Sequence, residues 1–146
     1  MMRRTALVSA TALALTALPL AASGDAADTG RPITVAMTGA AERPDPGDPD
    51  GSGTAHFRIN PGQEQLCYTL EVSDIAAATA AHIHVAGPDV AGPVVIPLAP
   101  PTTGMSSGCV DADRALLRTI MTDLDGYYVN VHNAEFPGGA VRGQLG

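Results

Sequence analysis

Three of the four histidines in this 146-residue chain stand where imidazoles could act together. His82 and His84 sit two residues apart in AHIHV, and His132 closes YYVNVH. Residues i and i+2 of a β-strand point to the same side, so the first two form a parallel pair. A third imidazole from another strand completes a facial or T-shaped set suited to copper or zinc. On this reading His82, His84 and His132 are metal ligands, with redox activity open to a copper form. The competing reading needs no cofactor. It is a hydrogen-bonded polar ladder in which His82, His84, Asn130, His132, Arg142 and Gln144 satisfy one another and nearby backbone. His56, beside Arg58 on an outward strand face, reads as ordinary surface.

The remaining motifs carry less chemistry. Residues 104–108 read GMSSG, matching the G-x-S-x-G elbow. That elbow works only between a strand and a helix of a large α/β sheet. Here Ser106 falls in an expected loop, Pro100 to Ser107, of a small β-rich chain. Asp45, Asp48 and Asp50 lack the spacing and terminal glutamate of an EF-hand, so they read as a solvated turn. No phosphate-cradling glycine loop or carboxylate pair stands out. No catalytic residue is assigned, and the chain reads as non-enzymatic.

The elements that must position these groups follow from periodicity. In Tyr127 to Leu145, the runs Tyr128 to His132 and Ala140 to Leu145 alternate around a turn containing Pro137, Gly138 and Gly139. Val129, Val131, Val141 and Leu145 take the apolar side, while Asn130, His132, Arg142 and Gln144 take the polar one. Ile33 to Thr38, Gly53 to Asn60, Leu66 to Val72, Ala81 to Val85 and Val94 to Leu98 also read as strands. Pro97 puts the last at a sheet edge or strand end, and Ile75 to Thr79 is ambiguous. Leu116, Leu117, Ile120, Met121 and Leu124 mark one helical stripe, capped by Asp111, stopped by Asp125-Gly126 and expected to support the C-terminal hairpin. The expected fold is all-β: an antiparallel, Greek-key-like β-sandwich with one short helix before that hairpin. With 3% aromatic residues, its core rests on Val, Ile, Leu and Ala.

Arg3 and Arg4 precede an apolar run from Ala6 to Ala22 that ends in small residues. This is the pattern of a secretory signal peptide over residues 1–23, cleaved after Ser23, or alternatively after Ala26. A flexible leader (24–32) and one domain (33–146) follow. Removing residues 1–23 takes away two arginines and no acid, moving the formal net charge from −7 to −9. Such acidity argues against nucleic acid and against an anionic membrane after signal cleavage. The expected partner is an extracellular protein or ligand. In an oxidising compartment Cys67 and Cys109 favour a disulfide, placed outside the core because Cys67 opposes Leu66, Tyr68 and Leu70. Free thiols acting as metal ligands are the alternative.

GAAERP (39–44), GTAHFRI (53–59), LCYTLEV (66–72), AHIHVAG (81–87), GPVVIPL (92–98), YYVNVH (127–132) and FPGGAVRGQL (136–145) occur in this order. Together they resemble the CHRD domain, named after repeats in chordin and found singly in secreted bacterial proteins. The resemblance runs from Ile33 onward. It implies a β-sandwich-like fold and a general extracellular binding or structural role. The family often carries an acid where this chain has Ala140, and His56 lies outside its usual pattern.

Overall fold

The computed structural model describes residues 30–146. The expected signal segment and residues 24–29 of the leader lie outside the described residues. Eight strands form: β1 (Arg31–Thr38), β2 (Ser52–Asn60), β3 (Gln65–Ser73), β4 (Ala78–Val85), β5 (Val94–Leu98), β6 (Met105–Asp111), β7 (Tyr127–Asn133) and β8 (Val141–Gln144). One helix, α1 (Arg114–Thr122), precedes β7. All ladders are antiparallel. The strands make one continuous sheet in the order β5-β4-β7-β8-β1-β2-β3-β6. The all-β antiparallel expectation holds, with its leaves being two halves of a single sheet.

Alternation places the aliphatic side chains of both halves in one core. Val35, Met37, Phe57, Ile59, Leu66 and Leu70 come from one half, and Ile83, Ile96, Val129, Val131 and Val141 from the other. The halves join where β8 meets β1, at the pair Thr38↔Arg142. Gly143 makes that approach feasible, because a Cβ there would collide with the carbonyl of Ala36. The two edge strands are tied as well. Ala99, just after β5, donates its N–H to Tyr68 Oη at 2.8 Å and accepts from Ser106 Oγ at 2.8 Å.

Several local expectations are corrected. The segment read as a loop up to Ser107 instead enters β6, which pairs with β3 along Gln65↔Asp111 to Glu71↔Met105. Its Gly and Ser residues are poor strand formers, and no side chain of β6 is fully buried. Pairing with β3, rather than its own apolar pattern, makes it a strand. Asp111 ends that strand, so the helix cap is Asp113, whose carboxylate accepts from Ala115 N and Leu116 N. The helix stops at Thr122, and a separate 3-10 turn covers Leu124–Gly126. Leu117 and Ile120 are buried as the stripe requires, but α1 packs on β2 and β3, and the following turn meets the hairpin. β1 begins at Arg31, where Arg31↔Ile59 and Pro32↔Arg58 extend the ladder ahead of Ile33. β5 lies at the sheet edge, as Pro97 demands.

Cys67 and Cys109 face each other in the β3–β6 register and are disulfide-bonded. Neither belongs to the core cluster, as expected. The bond closes a loop of 42 residues, which limits its stabilisation to about 4 kcal/mol. Thiol titration of native protein is expected to find no free thiol. Replacing both cysteines with alanine should lower the unfolding free energy in urea by up to about 4 kcal/mol. Two titratable thiols in the native form would contradict the pairing.

Candidate functional site

The outward face of β4, β7 and β8 collects the polar residues. Ile83, Val129, Val131 and Val141 turn into the core, so His82, His84, Tyr128, Asn130, His132, Arg142 and Gln144 share the opposite side. Register brings His82 opposite Asn130, His84 opposite Tyr128, Asn130 opposite Arg142, and Tyr128 opposite Gln144. All six residues expected to share a polar patch therefore meet. His56 is elsewhere, exposed on β2 with its Nδ1 3.1 Å from Thr34 Oγ1.

Within the patch the three imidazoles converge. One ring nitrogen from each of His82, His84 and His132 lies within 4.8 Å of the others. His82 Nδ1 stands 3.2 Å from His132 Nε2. His84 Nδ1 is 2.8 Å from the Gly92 carbonyl, and His132 Nδ1 is 3.0 Å from that of Pro137. A carbonyl oxygen only accepts, so both Nδ1 atoms carry the proton and both Nε2 atoms keep a lone pair. His84 Nε2 is buried and has no hydrogen-bond partner among the described residues. Burial pushes the His82 and His132 pKa values down, and repulsion between the imidazoles adds to it. A Pro137 hydrogen bond partly opposes the shift at His132. The shifts favour neutral His82 and His132, the form that binds metals.

Arg142 organises the roof. It is 1% exposed and donates to the carbonyls of Gly87 (2.8 Å) and Val90 (3.1 Å) and to Gln144 Oε1 (3.3 Å). Its guanidinium carbon lies 3.4 Å from the Tyr128 ring centre, a cation–π contact. The Tyr128 ring also stacks on His84, with centroids 4.7 Å apart. Gln144 donates to the carbonyls of Ala86 and Asp125, each at 2.7 Å. The 86–92 segment is therefore held by side chains, and it supplies the carbonyl that orients His84.

Sequence reasoning missed two members of this group. Tyr128 is visible only as one more strand residue until its ring contacts are known. Glu42 follows a 3-10 turn (Gly39–Ala41) in the Asp- and Pro-rich loop, yet it is 2% exposed. Its carboxyl lies against Gly139, where a Cβ would collide with Oε1. Burial raises its pKa to about 7, opposed by the Arg142 charge, the Arg43 backbone and a hydrogen bond from Asn130. The GAAERP string contained Glu42, but nothing in its spacing marks a buried acid.

A surface concavity of about 580 Å³ lies on the other half of the sheet. His56, Arg58, Thr69 and the disulfide line it, with no convergent set of ligand atoms. The histidine face is the better candidate on chemical grounds.

The CHRD domain family model matches residues 33–145. The chain belongs to the CHRD domain family. Comparison with curated proteins finds no match, and comparison with solved structures finds none either. Membership supports a binding or structural module rather than an enzyme, and both the histidine pair and the C-terminal hairpin of this CHRD domain fall inside the matched span.

Burial of these groups gives the CHRD domain a specific pH response. Glu42, raised from 4.5 to about 7, retains a proton that the unfolded chain has released. Its contribution to stability is full below pH 4.5 and is lost as pH rises through about 7. His82 and His132, shifted down, act oppositely: their contribution is present above the ordinary imidazole range and is lost as pH falls. With a chelator present, urea unfolding at pH 5 and pH 8 should separate the two effects. Glu42→Gln is expected to gain up to about 3 kcal/mol on wild type across that interval. Parallel pH profiles for the two proteins would contradict the buried-acid assignment.

Proposed function

We propose that this CHRD domain is an extracellular, non-enzymatic binding module whose ligand is one copper or zinc ion held by His82, His84 and His132. The observation that carries this reading is the state of the ring nitrogens. Two Nε2 lone pairs are freed because backbone carbonyls take the Nδ1 protons of His84 and His132. Nitrogens bound to one tetrahedral zinc at about 2.0–2.1 Å stand roughly 3.3 Å apart. The His82–His132 separation of 3.2 Å matches that spacing. His84 then needs only a small adjustment, since all three ligand atoms already fall within 4.8 Å. Neutral imidazoles suit zinc and copper, and carbonyls that fix the second ring nitrogen are usual supports of histidine ligands.

The second reading keeps the same module without a metal. Its support is the Arg142–Tyr128–Gln144 network, which ties the 86–92 segment down by itself. On that reading the patch stiffens a loop that contacts an extracellular protein or ligand. Untagged protein reconstituted with zinc or copper and desalted decides between them by elemental analysis. One ion per chain is expected in wild type and well under one in His84→Ala. Uptake should weaken as pH drops below the imidazole range, because protonated rings cannot ligate. Sub-stoichiometric metal in wild type, unchanged by His84→Ala, would favour the second reading.

Export rests on the leader pattern, the disulfide and the extracellular setting of the family. Amino-terminal sequencing of protein recovered from outside the cell should begin at Gly24, or at Ala27 for the alternative cleavage. An intact amino terminus on cell-retained protein would contradict export.

A further inference from the structure

The three imidazoles leave open what completes the coordination sphere. Among the described residues no other His, Cys, Asp or Glu joins their cluster. A fourth protein ligand must therefore be of another type. Asn130 stands opposite His82 in the β4–β7 register and two residues before His132 on the same face. It is 1% exposed, and its Oδ1 lies 3.0 Å from His132 Nε2.

That contact is unusual as it stands. His132 has given its single proton, on Nδ1, to the Pro137 carbonyl. The Asn130 side chain turns its oxygen toward the ring, 3.0 Å from Nε2. Two lone pairs then face each other at hydrogen-bond distance, which is repulsive unless something positive lies between them. A cation shared by Oδ1, His132 Nε2 and His82 Nδ1 removes the conflict. Those same pairs, at 3.0 and 3.2 Å, have the separations of neighbouring ligands on one small ion.

Building on the metal reading above, we infer that Asn130 Oδ1 is the fourth ligand, that Glu42 positions it, and that the ion is bound in a closed N3O site. Glu42 is buried beside Asn130, and once ionised it favours the amide orientation that presents oxygen and adds negative charge behind the imidazoles. Gly139 permits this, since any side chain there would displace the carboxyl. A site filled by four protein ligands keeps no position for a reacting water. That distinguishes structural sites from catalytic ones and accords with a non-enzymatic module.

Cobalt(II), standing in for zinc in the full mature chain, reads this out by its visible spectrum and by competition with a chromophoric chelator. Wild type should give a four-coordinate spectrum that azide does not alter. Asn130→Ala should bind cobalt and zinc at least about 10-fold more weakly and show an azide-dependent spectrum, because water takes the vacated position. Asn130→Asp, which keeps an oxygen donor, should restore both affinity and azide insensitivity. Glu42→Gln should weaken binding by about 10–100-fold with an unchanged spectrum, as expected for an outer-shell partner. Wild type that responds to azide as Asn130→Ala does, with equal affinity, overturns the fourth ligand while leaving the three-histidine site intact. Wild type that binds neither cobalt nor zinc overturns both.

Discussion

A buried guanidinium has to be satisfied, because moving a charge out of water costs several kcal/mol unless hydrogen bonds and counter-charge replace the lost solvent. Arg142 meets that requirement with two backbone carbonyls, Gln144 and the face of Tyr128, and Glu42 adds opposite charge once pH rises through about 7. The same residue supplies the Thr38↔Arg142 pair through which the two halves of the sheet connect. Its backbone thus holds the sheet together while its side chain holds the 86–92 segment down. Burial pulls its pKa down, opposed by Tyr128 and Glu42, and a guanidinium remains charged in proteins in any case.

The histidine face depends on this arrangement. The segment pinned by Arg142 and Gln144 brings Gly92 to His84, and the turn after β7 brings Pro137 to His132. Each carbonyl selects a tautomer, so the lone-pair directions of His84 and His132 are decided by backbone several residues away in sequence. Tyr128 stacks on His84 and also carries the guanidinium, coupling the ring's orientation to the Arg142 network. Glu42 reaches the same face from the loop after β1, and Gly139 makes room for it. A polar patch on three neighbouring strands becomes a set of oriented donors because three connecting segments close around it.

Much of this was legible beforehand. Alternation in Tyr128 to His132 and in AHIHV sorts valines and isoleucine from histidines, and the burial of Ile83, Val129 and Val131 follows that sorting. The stripe from Leu116 to Leu124 likewise marks the face that α1 and the turn after it bury. β6 was not legible, since a Met-Ser-Ser-Gly-Cys run has no apolar alternation and becomes a strand through its partner β3. The cap was misplaced because Asp111 and Asp113 are equivalent by composition, and only the end of β6 separates them. The depth of Glu42 was invisible for a related reason, as an acid in an Asp-rich loop is ordinarily solvated.

Taken alone, the residue order determined which groups share a face, because the two-residue period of a strand acts at short range and needs no knowledge of neighbours. It also determined the antiparallel all-β class, the cysteine pair and the family. Tertiary structure decided what local periodicity cannot reach: which strand lies beside which, where the 86–92 segment and Glu42 come to rest, and which ring nitrogen of His84 and His132 carries the proton. Those outcomes depend on burial and on hydrogen bonds between residues that can lie ninety or more positions apart, such as Arg31 Nη1 donating to the Met121 carbonyl. Contacts at that separation exist only after the chain has closed on itself.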